Sequence, residues 1–217
     1  MNEEWRNFLY PFGLLAQGAF GLRFLAQWLA AEKEKKSITP PLFWKLSLFG
    51  NILLLANSLI QLHVPMSLVQ SQNAIMSWRN LNLLGPESRR LQFSSVLLVL
   101  SVAALCVIIF FALQTTDIYW LSSPGTTNPA WGLHLLGIWA IICFNLRFWV
   151  QWWQAECNLE GQLTESFWWI SLFGAIVSAS YFFIVQDWVY CIGPTLGLIP
   201  YSRNLIFIRR ARGHAPN

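Results

Sequence analysis

Charge is the scarcest thing in this chain. Only 11% of its 217 residues are Asp, Glu, Lys or Arg, against about a quarter in soluble domains. That shortage excludes an ordinary soluble fold. With no soluble basic domain present, the net charge of +4 points to no nucleic-acid partner. Cysteine is sparse and poorly spaced for chemistry. Cys106, Cys143 and Cys191 fall in apolar runs and Cys157 in a loop, and no C-x-x-C or C-x-x-H spacing occurs, so neither a metal site nor a redox site is expected. The three histidines, His63, His134 and His214, lie apart, near the ends of spans or in the tail. No nucleophile motif, Gly-rich phosphate loop or pair of carboxylates in a cleft can be found. The expectation is therefore no catalytic residue, no metal and no cofactor.

What the chain has is apolar length. It is 55% hydrophobic with 13 Trp and 16 Phe, and its mean hydropathy is +0.46. Several apolar runs approach the roughly 20 residues that cross a bilayer, and the aromatics fit interfacial belts. The fold class expected is an all-α membrane protein. Seven spans can be drawn, at 8–31, 42–62, 66–84, 94–115, 131–154, 166–186 and 188–208. The third is polar for a lipid-facing helix, carrying Gln70, Gln72, Asn73, Ser77, Arg79 and Asn80, so it needs protein or water beside it. The start, Met1-Asn2-Glu3-Glu4, lacks the basic region of a secretory signal, and the first run is read as a retained helix.

The chain repeats itself. Residues 13–84 align without a gap with residues 137–208. Arg23-Phe24-x-x-Gln27-Trp28 returns as Arg147-Phe148-x-x-Gln151-Trp152, with Glu32 and Glu156 following. Phe43-Trp44-x-x-Ser47-Leu48-Phe49-Gly50 returns as Phe167-Trp168-x-x-Ser171-Leu172-Phe173-Gly174, and Arg79-Asn80-Leu81 as Arg203-Asn204-Leu205. An internal repeat of this kind defines the architecture. Residues 8–84 form one three-helix unit and 131–208 a second. A linking helix at 94–115 and the Ser-Ser-Pro-Gly-Thr-Thr-Asn-Pro turn at 122–129 join them. Three helices reverse the side of the membrane and the linker reverses it again, so the units are expected parallel (3+1+3), with any site between them. Lys33, Lys35, Lys36, Lys45, Arg89, Arg90, Arg209, Arg210 and Arg212 crowd one side. The other has Arg6 with acidic or neutral loops, including Asp117 and Asp187. The positive side is cytoplasmic, which puts the N-terminus outside and the C-terminus in the cytoplasm.

The candidate site follows from the repeat. At helical spacing Arg23 and Gln27 share a face with Gly13, Ala16, Phe20, Phe24, Trp28 and Ala31, and Arg147 and Gln151 do the same in the second unit. Arg23 lies about 12 Å from the cytoplasmic end of its span. A buried arginine costs about 3 kcal/mol or more on insertion scales, and its planar fork suits phosphate. Arg79, Asn80, Arg203 and Asn204, near cytoplasmic helix ends, complete a ring of four guanidiniums that would hold a lipid phosphate or sugar phosphate. The bland alternative is that the arginines snorkel to the headgroups and pair with Glu32 or Glu156. Ser47 and Gly50 on one face of the second helix point to close helix packing. Gly193-Pro194, Gly197 and Pro200 are expected to interrupt the seventh span, as a site or as a tolerated kink.

In combination, Arg-Phe-x-x-Gln-Trp, the following Glu, Ser37 and Pro40, Phe-Trp-x-x-Ser-Leu-x-Gly and Arg-Asn-Leu resemble the lipid A biosynthesis N-terminal domain family. The second copy departs from it with Gly161 and Thr164 in place of Ser37 and Pro40. The family in turn looks like the PQ-loop and SWEET group of three-helix-bundle membrane proteins. The resemblance implies a bacterial inner-membrane protein of envelope glycolipid synthesis, with a periplasmic N-terminus and membrane lipids, anionic or lipid-linked sugar phosphates, as partners. In chlamydial-type proteins the domain precedes a lipid-A-disaccharide synthase. Seven spans leave no room for a nucleotide-sugar domain, so a non-catalytic role in binding, presenting or moving a phosphorylated lipid is expected. A scaffold for a cytoplasmic glycosyltransferase and an intramembrane enzyme are the alternatives.

Overall fold

Proline and polar turns cut the apolar runs into helices. The computed structural model describes residues 8–34, 38–115, 118, 131–158 and 164–213. Arg6, Lys35, Lys36, Ser37, Asp117, the 122–129 turn, Gly161 and His214 lie outside the described residues. A 3-10 turn at Tyr10–Phe12 leads into α1 (Gly13–Glu34). Then follow α2 (Pro41–Ile60), α3 (Val64–Leu83) and α4 (Phe93–Ala112). The remaining three are α5 (Trp131–Asn158), α6 (Glu165–Ile184) and α7 (Trp188–Gly213).

Local chemistry sets several boundaries. At α2 the ring of Pro41 supplies a helical φ where no N–H bond is needed, and Pro40 before it is extended (ψ 157°). At α6 the Thr164 hydroxyl accepts from the Phe167 backbone N–H. The turns that end α2 and α6 are the same turn built twice. Leu62 and Gln186 both adopt φ 56°. His63 N–H donates to the Ser58 carbonyl at 2.8 Å, and Asp187 N–H to the Phe182 carbonyl at 2.9 Å. Leu62 and Gln186 N–H reach the Leu59 and Phe183 carbonyls. This is the Schellman pattern, in which a left-handed residue satisfies the last carbonyls of a helix. It sends the chain straight back into α3 and α7.

In sequence order α1 packs on α2, α2 on α3, α5 on α6 and α6 on α7. Two seams join these groups, α1 against α7 and α3 against α5, so the first helix of each group meets the last of the other. The α1–α7 seam is tied near its start: Tyr10 Oη donates to Asp187 Oδ1 at 2.7 Å and Gln17 Nε2 to the Val189 carbonyl at 2.6 Å. Close approach is visible at Gly50, where a Cβ would come 2.6 Å from the Phe20 ring; the small residue expected to serve packing admits α1. The fourth helix packs on α3 and leaves Leu98, Val102, Leu105 and Ile108 exposed, as a lipid-facing helix would.

Among the described residues, four helical segments are long and apolar enough to cross a membrane: Pro41–Ile60, Glu87–Ala112, Leu135–Cys157 and Glu165–Ile184. Average hydropathy does not pick out α1, α3 and α7. The reason is plain at α3, whose polar side chains Ser67, Gln70, Asn73, Ser77, Arg79 and Asn80 are all buried against protein. They lower the helix average without facing lipid. The expected interruption of the seventh span does not break the helix: α7 continues through Pro194 and Pro200. Each proline removes one backbone donor, and packed neighbours let such helices persist.

Candidate functional site

The face that α1 turns inward carries Arg23 and Gln27, and the corresponding face of α5 carries Arg147 and Gln151. All four are buried, at 4%, 2%, 2% and 4% exposure. The Arg23 guanidinium does not reach out to a surface. It sits 4.7 Å from the ring centroids of Phe20 and Phe24 and 5.2 Å from that of Phe43, and it donates to Ser47 Oγ at 3.3 Å. Arg147 lies 4.5 Å from the Phe148 ring and 5.3 Å from that of Tyr201 and donates to the Tyr201 hydroxyl. Ring faces are electronegative and hold a desolvated cation in place. Gly197 makes room for this arrangement, since a Cβ there would meet the Tyr201 ring at 2.6 Å.

Two adjoining cavities meet at these arginines, and both are bounded by Arg23 and Arg147. The smaller, of about 10 Å³, is lined by paired residues of the two repeats: Phe24 and Phe148, Gln27 and Gln151, Phe43 and Phe167, with Trp168 and Tyr201. The polar atoms that face no protein partner here are Arg23 Nε, Gln27 Nε2, Gln151 Nε2 and Trp168 Nε1. Every one is a nitrogen that can donate. Buried donors of this kind normally have an acceptor. No carboxylate is among the described residues lining either cavity. Two guanidiniums held close in low dielectric, ringed by unused donors, favour an anion between them.

The larger cavity, of about 60 Å³, has space for a few waters. It extends from the arginines along α3 and α7, past Gln70 and Asn73 on one side and Gly193 and Pro194 on the other. The two repeats have diverged here, so this half of the site is asymmetric.

The remaining residues expected at the site are elsewhere. Arg79 is buried and bidentate on Glu156, Nε to Oε1 at 2.6 Å and Nη2 to Oε2 at 2.9 Å. Its Nη1 donates to Asn82 Oδ1 and the Leu91 carbonyl. Arg203 pairs with Glu32. Each arginine thus holds the glutamate of the other repeat, across the α3–α5 and α1–α7 seams. The corresponding tryptophans follow suit, Trp152 Nε1 donating to Glu156 at 2.8 Å and Trp28 Nε1 to Glu32 at 3.2 Å. Asn80 and Asn204 donate back to their own helices, to the Met76 and Pro200 carbonyls. None of these four lines either cavity. Ser47, expected to serve packing, also accepts from Arg23, and Tyr201 and Trp168 join the site without being among its expected residues. Trp168 carried a signal, its place in the duplicated Phe-Trp motif. Tyr201 carried none, because the first repeat has Ser77 there.

The model of the lipid A biosynthesis N-terminal domain matches residues 12–82 and, a second time, residues 136–206. The chain belongs to that family. Curated relatives of the lipid A biosynthesis N-terminal domain in this chain are chlamydial. A lipid-A-disaccharide synthase of Chlamydia abortus is 32% identical over 208 residues, which is 92% of this chain and 33% of the relative. The lipid-A-disaccharide synthases of Chlamydia muridarum and Chlamydia pneumoniae are 33% and 31% identical, over 91% and 94% of this chain. The chain spans about a third of the length of these relatives. No solved structure matches it. The Arg-Phe-x-x-Gln-Trp motif that builds the site falls inside both matched segments.

Proposed function

We propose that this lipid A biosynthesis N-terminal domain binds the phosphate of an anionic or lipid-linked sugar headgroup between its two halves, and that it handles this lipid during envelope glycolipid synthesis. The observation that carries the reading is the meeting of the two cavities at Arg23 and Arg147. Two buried guanidiniums bound both, and three further donor nitrogens without a protein partner, Gln27 Nε2, Gln151 Nε2 and Trp168 Nε1, belong to residues of the smaller, with no carboxylate among the described residues lining either. Phosphate accepts from several donors at once and matches the arginine fork. The names of the relatives support the pathway, and the large exposed apolar face of α4 supports a membrane setting.

In this reading all seven helices cross the inner membrane. The 8–84 and 131–208 units run parallel around the linking helix at 94–115, with the N-terminus periplasmic and the C-terminus cytoplasmic. The twofold family match and the α1–α7 and α3–α5 seams support that plan. Reporter fusions after Lys36 and Arg212 then behave alike, and one after Thr127 behaves oppositely; unlike behaviour of the first two overturns it. The domain is non-catalytic and acts beside a glycosyltransferase. Disaccharide formation by the purified chain alone, abolished by a point substitution in it, overturns that part.

The binding reading is tested by native mass spectrometry of the purified protein beside Arg23→Lys and Arg147→Lys. The parent retains a phosphorylated lipid. The lysine variants remain folded and retain less, because an ammonium cannot reproduce the fork. Equal retention by all three means that the arginines do not hold the phosphate.

A further inference from the structure

Arg23 and Arg147 are buried, so an anion reaches the space between them only where a seam parts. The two seams are built unequally, and each inequality favours the same one. Across α3–α5 the Arg79–Glu156 pair is buried and backed by Asn82, the Leu91 carbonyl and Trp152. Across α1–α7 the Arg203–Glu32 pair is partly exposed, and exposed pairs hold little. The helices differ as well. Where α3 carries Val69, Gln70, Asn73 and Met76, α7 carries Gly193, Pro194, Gly197 and Pro200. Pro194 and Pro200 lie inside the helix and deprive the Tyr190 and Leu196 carbonyls of their helical donors. Thr195 Oγ1 donates back to the Cys191 carbonyl at 2.8 Å, a bond of the kind that bends helices.

The ties between α1 and α7 fall on both sides of this stretch. Before it, Tyr10 Oη donates to Asp187 Oδ1 and accepts from the Val189 N–H at 3.2 Å, while Gln17 Nε2 donates to the Val189 carbonyl. These bonds hold the first turn of α7 as a fulcrum. After it come Arg203 and Tyr201, the latter edge-on to Phe24 at 5.7 Å between ring centroids. Tyr201 is also the residue that covers Arg147. The half of α7 beyond the prolines is therefore the half that closes the site.

We propose that the α1–α7 seam is the gate of the buried anion site, with the Gly193–Pro200 stretch as its hinge and the Glu32–Arg203 pair as its latch, while the α3–α5 seam stays shut. The inference rests on the anion reading for what enters; the motion itself needs no ligand. Gly193 to Arg203 is about 15 Å of helix. A proline kink of about 20° would carry Arg203 about 5 Å from Glu32 and draw Tyr201 off the arginines. Tyr201 and Leu205 pack with Phe167, Trp168 and Ala175, so the start of α6 moves with α7. The opening lies at the end that is cytoplasmic in the proposed topology.

The experiment is dipolar EPR in lipid nanodiscs, with nitroxide labels on cysteines placed in a chain whose own four cysteines are replaced by serine. Leu29→Cys with Ile206→Cys spans the α1–α7 seam and Leu84→Cys with Trp153→Cys the α3–α5 seam, all at exposed positions. Arg203→Gln should lengthen the first distance by about 5 Å and leave the second unchanged. Adding Pro194→Ala, which restores a helical donor, should return the first distance toward that of the parent; Pro200→Ala repeats this arm if Pro194→Ala melts early. No lengthening across α1–α7, equal lengthening across both seams, or lengthening that survives the alanine substitution overturns the gate. Inorganic phosphate added to Arg203→Gln should shorten the first distance again. Opening that ignores phosphate upholds the gate and counts against the anion reading instead.

Discussion

The two crossed ion pairs occupy equivalent places in the repeat, yet they should differ severalfold in worth. Glu156 accepts twice from an Arg79 that is 4% exposed and once from Trp152, and its own side chain is 13% exposed. Glu156→Gln keeps the shape and removes the charge, leaving a buried guanidinium without its counter-ion. Removing one partner of a buried pair costs about 3–5 kcal/mol. Arg79 keeps its bonds to Asn82 and Leu91, so the lower end, about 3 kcal/mol, is the expectation. Glu32 and Arg203 are 30% and 48% exposed, and an exposed pair contributes about 0–1 kcal/mol. For a chain of this size about 3 kcal/mol corresponds to a melting shift of roughly 6–12 °C, and 1 kcal/mol or less to no more than roughly 4 °C. Thermal unfolding in detergent, followed by tryptophan fluorescence, compares Glu156→Gln with Glu32→Gln. Adding Arg79→Gln to Glu156→Gln should recover part of the loss. Equal shifts, or the larger shift at Glu32, would refute the reasoning.

Two further predictions concern the scaffold. His63 lies in the turn after α2, and burial pushes its imidazole down from 6.5 to about 4. The unfolded chain gains a proton below about 6.5 that the folded chain refuses until about 4, so this stability is whole above 6.5 and lost as the pH falls through that window. The melting temperature of the parent should fall across that range more than that of His63→Phe; identical profiles would contradict it. At Gly50 an added Cβ would meet the Phe20 ring at 2.6 Å, while at Gly18 it meets nothing within 4 Å. Gly50→Ala should therefore destabilise by about 1–3 kcal/mol, and Gly18→Ala should be neutral or stabilising by up to about 1 kcal/mol, as read from unfolding midpoints.

Much of this was legible in the chain because a repeated motif is read twice. Arg23 and Arg147, with Gln27 and Gln151, share a face by helical periodicity alone, and that face turned inward onto one pair of cavities. The polar third span needed neighbours, and α3 has them. What sequence could not supply was partnership across the halves. Glu32 and Glu156 were visible as counter-ions for arginine, but the exchange that gives each repeat's glutamate to the other's arginine depends on which helices form the seams. Tyr201 was invisible for the same reason, since its ring reaches Arg147 from another helix and has no counterpart in the first repeat. Pro194 and Pro200 left the reading of α7 open between a site and a tolerated kink, because proline reports a missing donor and not whether packing holds the helix together around it.

The central claim is that an anion occupies the space between Arg23 and Arg147. Phosphorus-31 NMR of the purified protein after exhaustive detergent exchange asks this most directly. The parent should show a bound resonance, close to one phosphate per chain and shifted from that of free lipid, and Arg23→Gln with Arg147→Gln should abolish it while the helical circular dichroism remains. A protein free of phosphorus that stays folded, or a resonance indifferent to both substitutions, would contradict the claim.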